Sequence, residues 1–290
     1  MDSSVDVSII IVSFNTHKFL EKCLNSLLRF TKGISFEIIV IDNNSSDKSV
    51  ELVKKKFPQI KLIANKVNKF FTGANNQGAK IARGKYLLFF APDAYLIDNS
   101  VKKIFDYLQI HESVGACEGL ELYENGKPVP TGSKVTSPLI DFFELSLIGS
   151  KIKNQKLIND FRIKNKKRSQ DFEVDVGCDA FLMIRSDLFK KIKMYDTGMK
   201  LYYTENDLCH KIKSEGFSIV HLGSAKIIHT VSVSTNALGW KKNDIYYEDL
   251  RTYYKKHKQG ILGNLLYLDL KIEKQLLQIR EWLKFHEIHS

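Results

Sequence analysis

Cysteine, long apolar runs and glycine-rich motifs are all scarce in this 290-residue sequence. The four cysteines are scattered without a C-x-x-C pair, which argues against a disulfide framework or metal cluster and favours a reducing cytoplasm. No apolar run approaches the roughly 20 residues of a membrane-spanning helix. The chain opens without a basic, apolar leader, so we expect no signal peptide. Neither the dinucleotide fingerprint nor the P-loop is present, which removes the two common nucleotide-binding motifs.

Basic residues outnumber acidic ones: 44 lysines and arginines against 33 acids give a net charge of +11. They concentrate at residues 151–168, 241–242 and 255–258. We predict no nucleic-acid partner, because no nucleic-acid-binding motif accompanies them. An anionic membrane surface and a phosphate-bearing acceptor explain the same clusters equally well.

The first third of the chain alternates between two hydrophobic patterns. Continuous apolar runs, typical of strands buried on both faces of a parallel sheet, are separated by segments with helical spacing. The predicted strands are residues 7–14, 36–41, 60–64 and 86–90, and the predicted helices are residues 18–31, 46–57 and 73–82. This order predicts an α/β fold with a Rossmann-like, mostly parallel central sheet flanked by helices.

The rest of the chain is less regular. Asn125-Gly126 is a good hairpin turn signal, and residues 130–171 are basic with two or three short helical stretches. The further predicted elements are helices at residues 100–111 and 205–215, buried apolar residues at 174–184, short strands at 218–222 and 225–229, and a helical tail at 261–285.

The tail has an apolar stripe at helical spacing, formed by Leu262, Leu265, Leu266, Ile272, Leu276, Ile279 and Leu283. Docking onto the chain's own domain or pairing in a homodimer would bury this stripe. Peripheral binding to an anionic membrane is the alternative, since lysines at 255–258 precede it.

Polar residues follow the predicted strands where each one ends. In a doubly wound sheet, ligands bind beyond the carboxyl ends of the strands, so these residues should meet at one site. They include Ser13, Asn15, Asp42, Asn44, Asn68 and Asp93. The alternative for Asp42 and Asn44 is that they form a turn and cap the next helix.

An ordered series of motifs resembles the family 2 glycosyltransferases, and the rhamnosyltransferase-like branch most closely. The first four motifs are V-S-I-I-I-V-S-F-N, E-I-I-V-I-D-N-N-S-S-D-K-S-V, N-x-x-N-x-x-F-x-x-A-N-N-Q-G and Y-L-L-F-F-A-P-D. G-C-D-A-F-L-M-I-R, Y-Y-T-E-N-D-L-C-H-K-I-K-S-E-G-F and I-I-H-T-V-S-V-S continue it in order, covering about residues 5–258. The resemblance implies a GT-A fold at residues 1–240, with a nucleotide-binding half (1–98) and an acceptor-binding half (99–240), and then a helical extension (241–290).

The resemblance also implies roles at the strand ends. Asp42 would accept a hydrogen bond from the ring N–H of uracil or thymine, with Ser13 and Asn15 lining the same pocket. Asn68 and Asn76 lie where the family contacts the nucleotide. The residues expected to bind the nucleotide sugar are Ser13, Asn15, Asp42, Asn44, Asn68, Asn76 and Asp93.

A divalent metal ion is a further implication of the resemblance. Asp93 matches the last acid of the family's Asp-x-Asp-like motif and should bind Mg²⁺ or Mn²⁺, which prefer carboxylate and phosphate oxygen. His229 falls where related enzymes place a further metal or diphosphate contact. A structural role is the alternative for this lone histidine after a strand.

The catalytic base is expected at the start of the helix at residues 205–215. Alignment through D-L-C places Glu205 at the position of the family's base, with one extra methylene. Asp207 is the second candidate, and we expect it to have a structural or acceptor-binding role. Both acids also favour a helix N-terminus through its dipole.

The chain departs from the family in two respects. Relatives commonly have Asn and Thr where this chain has Ala91 and Ala94 around Asp93, which thins the surroundings of the metal. Phe70 replaces a usual glycine, so the donor loop could suit a different sugar. A catalytically weak or inactive sugar-nucleotide-binding homologue that acts as a scaffold is therefore a rival hypothesis. A nucleotidyltransferase is a weaker one, because its glycine- and lysine-rich loop is missing.

The sequence therefore predicts a metal-dependent, inverting glycosyltransferase of surface polysaccharide assembly. The expected donor is dTDP-rhamnose or a UDP-sugar, and the expected acceptor is a glycan or lipid-linked glycan. We expect a cytoplasmic protein, with peripheral contact at the inner face of the cell membrane as an open alternative.

Overall fold

The computed structural model describes residues 5–152, 154–231, 238–239 and 241–289, without the side chains of residues 241, 274 and 276–289. The strands are β1 (Val5–Ser13), β2 (Phe36–Asp42), β3 (Lys61–Ala64), β4 (Gly84–Phe90), β5 (Ala94–Leu96), β6 (Val114–Leu122), β7 (Phe172–Val174), β8 (Phe181–Arg185) and β9 (Ser218–His229). The helices are α1 (His17–Phe30), α2 (Ser49–Lys56), α3 (Phe70–Ile81), α4 (Ser100–Ile110), α5 (Pro138–Leu145), α6 (Leu147–Ile152), α7 (Gln155–Phe161), α8 (Ser186–Lys191), α9 (Thr204–Ser214), α10 (Lys241–Lys256) and α11 (Gly260–His289).

All the described strands join one open sheet in the order β3-β2-β1-β4-β8-β6-β9-β5, with β7 paired to β9. β1 lies within its parallel half, between β2 and β4. Ile9, Ile10 and Ile11 of β1 are fully buried, as expected for a strand covered on both faces. The predicted α/β class and the parallel order of the first four strands are confirmed.

The second half of the sheet is mixed. β8 pairs antiparallel with β4 and β6, whereas β6 and β9 are parallel. The two short strands predicted at residues 218–222 and 225–229 are wrong, because this segment is the single strand β9. Both of its halves pair with β6 around an irregularity, where Leu222 is followed by Lys226 as the next paired residue.

The irregular segment at residues 130–171 contains three short helices, α5 to α7, in agreement with the prediction. The Asn125-Gly126 turn is also confirmed. Gly126 has a left-handed φ of +77°, and the Tyr123 amide donates to the Lys127 carbonyl at 2.9 Å. Glycine suits this position because it has no side chain to clash.

The C-terminal helices pack against the segment that precedes α9. Tyr253, Tyr254 and Leu266 form a buried cluster with Met199 and Tyr203. The predicted tail helix is confirmed as α11, but its stripe divides: Leu266 is buried, whereas Leu262, Leu265 and Ile272 are exposed. The side chains of Leu276, Ile279 and Leu283 lie outside the described residues. The domain boundary at residue 240 stays a prediction.

No helix in the described part of the chain has the length and hydropathy needed to cross a membrane.

Candidate active site

A cavity of about 410 Å³ lies beyond the carboxyl ends of β1, β2 and β4, where ligands bind in doubly wound sheets. Four of the predicted site residues lie on its wall: Asn68, Asp93, Glu205 and His229. We call it the first cavity. The sheet thus brings together side chains that are more than a hundred residues apart in the sequence.

Three predicted residues lie at the end of β1 or in the adjoining loops rather than on this wall. The hydroxyl of Ser13 is 2.9 Å from that of Thr16. Asn15 has a left-handed φ of +54°, and its Oδ1 accepts a hydrogen bond from the Ser46 amide at 2.8 Å. Asn44 is exposed and left-handed, with a φ of +69°. The hydrogen bond between Asn15 and Ser46 joins the loops after β1 and β2.

Asp42 ends β2 and is only 2% exposed. Its Oδ1 accepts a hydrogen bond from the Ser45 amide at 2.9 Å. Its Oδ2 has no hydrogen-bond partner among the described residues, although it is buried. A buried carboxylate oxygen without a donor is costly, so a ligand N–H that reached this atom would supply a missing hydrogen bond. Asp42 itself is not among the residues that line the first cavity. The neighbouring Asn43 lies on the wall of the first cavity.

Asn68 fixes the turn that starts α3. Its Oδ1 accepts a hydrogen bond from the Phe70 amide at 2.7 Å. Phe70 has a left-handed φ of +56°, a backbone conformation that favours glycine. The side-chain Nδ2 of Asn43 donates to the Phe70 carbonyl at 2.9 Å, so the side chains of Asn68 and Asn43 together hold Phe70 in this backbone conformation.

Asn76 does not contribute to the first cavity. Its amide nitrogen donates to the Tyr195 carbonyl at 2.9 Å, and its Oδ1 accepts from the Tyr195 amide at 3.1 Å. Both ends of the side chain are therefore used to tie α3 to the segment after α8. The preceding Asn75 lies on the cavity wall instead.

Asp207 points away from the cavity, although it lies two residues from Glu205. Its carboxylate is 2.8 Å from Lys256 Nζ and 3.0 Å from His257 Nε2. Burial alone would raise the pKa of Asp207, but the hydrogen bonds from His257 and Lys256 outweigh it and hold the pKa below its ordinary value. Asp207 thus ties α9 to the C-terminal helices.

His229 lies between two carboxylates. Its Nε2 is 3.3 Å from Asp93 Oδ1, and its Nδ1 is 2.5 Å from Glu121 Oε2. Burial opposes the charged imidazole, but Asp93 and Glu121 outweigh burial and raise the pKa of His229 to about 10. The histidine is therefore oriented by Glu121 with its Nε2 toward Asp93.

Glu205 and Asp179 form a second pair of acids on the same wall. Burial and the negative charge of Glu205 raise the pKa of Asp179 well above its ordinary value. Burial also raises the pKa of Glu205. The Thr204 hydroxyl lies 3.4 Å from Asp179 Oδ2 and 3.2 Å from Glu205 Oε2. A carboxylate with a raised pKa is a stronger base, which suits removal of a proton from a weak acid.

A second cavity, of about 380 Å³, adjoins the first. Glu205, Cys178 and Tyr202 line both cavities. The second cavity also contacts α5 and residues 130–133 of the irregular segment. Glu205 therefore faces two compartments that are large enough for two different molecules.

Sequence reasoning missed Glu121 and Asp179. The signal for Glu121 was an acid within the apolar strand β6, where a fully buried carboxylate needs a partner. The signal for Asp179 was its position before β8, within the motif G-C-D-A. Neither signal identifies the partner, because His229 lies 108 residues from Glu121 in the chain.

Comparison with known proteins agrees with this architecture. The model of glycosyl transferase family 2 matches residues 8–193. Over 206 residues the chain is 29% identical to the poly(ribitol-phosphate) beta-glucosyltransferase of Bacillus spizizenii, covering 68% of this chain but only 32% of that relative. It is 25% identical to an uncharacterized glycosyltransferase of Haemophilus influenzae, covering 98% of this chain and 96% of the relative.

Among solved structures, the fold is similar to that of GalNAc-T7 with UDP, GalNAc and Mn²⁺. The TM-score is 0.57 at 15% identity, covering 79% of this chain and 44% of that one. This likeness supports the GT-A architecture alone. The family match covers well over half of the chain and includes the strand ends that form the first cavity. The chain is a member of glycosyl transferase family 2.

Proposed function

We propose that this protein transfers a sugar from a nucleotide-diphosphate sugar to a hydroxyl group of a glycan acceptor. The donor would occupy the first cavity and the acceptor the second. The observation that carries this proposal is that Glu205 lies on the wall of both cavities. A base at this junction can take the acceptor proton as the new glycosidic bond forms, which is the requirement of a single-displacement, inverting transfer.

The base of the donor would be bound at the ends of β1 and β2. Asp42 Oδ2, buried and without a partner among the described residues, would accept the ring N–H of uracil or thymine. Ser13, Asn15 and Asn44 would shape the surrounding loops. Either base at this position would make the donor a UDP-sugar or a dTDP-sugar. The rhamnosyltransferase-like motifs favour dTDP-rhamnose as the other candidate.

Asp93 and His229 would hold Mg²⁺ or Mn²⁺ together with the diphosphate of the donor. Their facing atoms are 3.3 Å apart, and Glu121 orients the imidazole as metal-bound histidines usually require. The ion would have to replace the Nε2 proton, because the pKa of His229 is raised to about 10 and a histidine binds metal only in its neutral form. No cluster of three or more such ligands occurs among the described residues, so phosphate oxygens would complete the coordination, as is common for Mg²⁺. The bound ion would neutralise charge on the departing diphosphate.

Asp179 would assist at the same wall without acting as a second base. Its raised pKa favours the protonated form, in which it can donate a hydrogen bond to a sugar hydroxyl. Glu205 would then be the unprotonated member of the pair. This division of roles follows from the mutual repulsion of two acids that share a site.

The acceptor would be a surface glycan in cytoplasmic assembly. The poly(ribitol-phosphate) beta-glucosyltransferase relative supports a hydroxyl acceptor on an anionic polymer. The exposed basic residues 164, 166 and 167 follow α7, near the segment that contributes Arg162 to the second cavity. A phosphate-bearing chain is therefore compatible in charge with these three basic residues.

A nucleotide-binding panel tests the donor assignment. UDP, dTDP, GDP, CDP and ADP would be titrated into wild-type protein and into Asp42→Asn by calorimetry with Mn²⁺ present. We expect binding of UDP or dTDP, and a loss of about tenfold or more in Asp42→Asn, since a hydrogen bond to a charged acceptor contributes about 1.5–3 kcal/mol. Equal affinity of both proteins for every nucleotide would exclude Asp42 from the base site.

A membrane contact is a separate proposal, supported by the distribution of exposed aliphatic side chains. Leu139, Leu147, Ile148, Ile152, Ile261, Leu262, Leu265, Leu268 and Ile272 are all exposed on α5, α6 and α11. We call this set the apolar surface. Glu273 of α11 accepts a hydrogen bond from the Leu147 amide at 2.8 Å, which joins the two parts of the set. The same elements or their borders carry the exposed residues Lys151, Lys258 and Lys271. Their positive charge attracts anionic lipid, whereas it would repel the same lysines of a second copy of the chain.

Vesicle flotation tests this contact. We expect wild-type protein to float with phosphatidylglycerol-containing vesicles, and the double variant Ile261→Ser, Leu265→Ser to lose more than about tenfold in partitioning, because each buried aliphatic side chain contributes about 1.5–3 kcal/mol. Ile110→Ser, which changes an isoleucine that is 76% exposed on α4, is the matched control. Equal binding of both variants, or no binding by wild type, would rule out the apolar surface as the anchor.

A further inference from the structure

Asp249 of α10 binds the backbone of a turn that borders both cavities. It is fully buried, and its carboxylate accepts hydrogen bonds from three successive amides, those of Lys200 at 2.9 Å, Leu201 at 2.8 Å and Tyr202 at 2.9 Å. We call residues 200–202 the hinge turn. Three N–H groups that converge on one carboxylate fix the turn more tightly than single hydrogen bonds could.

The hinge turn also contacts the nucleotide side of the first cavity. The Lys200 carbonyl accepts a hydrogen bond from the Phe71 amide at 3.0 Å, at the start of α3. The Thr72 hydroxyl donates to the Met199 carbonyl at 2.8 Å, just before the turn. Phe71, Leu201 and Tyr202 all lie on the wall of the first cavity. The turn therefore connects α10 to the proposed donor site.

At its other end the hinge turn leads directly into α9. Tyr203 follows it in a left-handed conformation, with a φ of +58°, which is unfavourable for a bulky side chain. Its hydroxyl donates to Asp141 Oδ2 at 2.6 Å, so tertiary contacts hold this conformation. Glu205 comes two residues later, in the first turn of α9. The direction of Glu205 thus depends on how the preceding turn is held.

We propose that Asp249 is a positioning residue for the transfer reaction. By holding the hinge turn, it keeps Glu205 at a fixed position relative to the wall of the first cavity. This inference rests on the proposed function. It makes the C-terminal helix α10 part of the catalytic unit. A displacement of about 1 Å in a catalytic group can cost about 100-fold in rate even when the substituted residue is remote from the chemistry.

Asp249 also influences Glu205 through its charge. Burial raises the pKa of Glu205, and the negative charge of Asp249 raises it further. The other titratable groups that interact with Glu205 come from neighbouring elements: Asp179, Tyr195, Cys209, Tyr246 and Tyr253. Removing the charge of Asp249 should therefore lower the pKa of Glu205. Because Glu205 must be unprotonated to act as a base, the fall in rate on the acidic side of the pH–rate profile (the acid limb) should move to lower pH.

The test compares Asp249→Asn with Asp249→Glu and with Glu248→Gln as the matched control. Glu248 is adjacent on α10, but its exposed carboxylate pairs only with the Lys200 side chain among the contacts described for it, at 2.8 Å. We expect Asp249→Asn to lower kcat by about 10- to 100-fold, to bind nucleotide within about threefold of wild type, and to shift the acid limb to lower pH. Asp249→Glu should lower kcat but leave the acid limb in place, since the charge remains.

Nucleotide affinity reports whether each variant retains a folded donor site. A wild-type kcat and pH profile in Asp249→Asn would overturn the positioning role. So would a loss of nucleotide binding as large as the loss of kcat in both Asp249 variants, which would mark a purely structural role. If wild-type protein itself turns over no donor, the proposed function fails and the inference fails with it.

Discussion

Glu205→Gln is expected to lower kcat by about 10²–10⁴-fold while nucleotide binding is retained. Glutamine keeps the size of the side chain and removes its basicity, and a sugar hydroxyl is too weak an acid to react without a base. The measurement is steady-state kcat for sugar transfer, with nucleotide affinity determined separately. In wild-type protein, kcat/KM should fall at acidic pH, with its midpoint above the ordinary pKa of a glutamate, because burial raises the pKa of Glu205.

Asp207→Asn is the matched control, since it makes the same chemical change two residues away. Its carboxylate contacts Lys256 and His257 rather than either cavity. We expect a smaller loss in kcat and a lower melting temperature, because Lys256 and His257 lose the charge of the buried Asp207 carboxylate that they contact. A normal kcat in Glu205→Gln together with no measurable activity in Asp207→Asn would mean that Asp207 is the base and Glu205 has the structural role.

Asp93→Asn is expected to abolish turnover while the protein stays folded. Removal of divalent metal by EDTA should likewise abolish the activity of the wild-type enzyme. Only Asp93 and His229 are proposed as protein ligands, so the loss of one carboxylate charge removes much of the site's attraction for a divalent ion. Activity would be measured as release of nucleoside diphosphate across a Mn²⁺ titration, with circular dichroism as the check on folding.

Asp98→Asn is the control for this change. Asp98 is a nearby acid that pairs with Lys103 at 2.7 Å and lies outside the lining of the first cavity. Its variant should keep wild-type activity and the same Mn²⁺ dependence. Full activity of wild-type protein in excess chelator would contradict the metal-dependent mechanism.

The strand ends could be predicted because their pattern is local. Apolar runs followed by polar residues place Asp42 and Asp93 at the carboxyl edge of a parallel sheet, and the order of the motifs adds Glu205 and His229. The partners of these residues could not be predicted in the same way. The contact between Glu121 and His229 depends on β6 and β9 lying side by side, which no local pattern specifies.

The sequence predicted less well which helical residues face the first cavity, because side-chain direction changes at every position of a helix. Neighbouring residues on a helix point about 100° apart. A motif that contains Asn75 and Asn76 therefore cannot specify which of them faces the cavity. The structure directs Asn76 to Tyr195 and Asn75 to the cavity wall. Glu205 and Asp207 could be told apart, because alignment with the family through D-L-C assigns the position of the expected base to Glu205.

The most direct test of the central claim is turnover of a donor panel. UDP-, dTDP- and GDP-sugars would be incubated with wild-type protein, Mn²⁺ and a hydroxyl-bearing glycan acceptor, and nucleoside diphosphate and glycosylated product would be quantified together. We expect equal amounts of both products from at least one UDP- or dTDP-sugar, and loss of both in Glu205→Gln. Tight binding of a donor without release of diphosphate from any member of the panel would contradict it and would identify a sugar-nucleotide-binding scaffold instead.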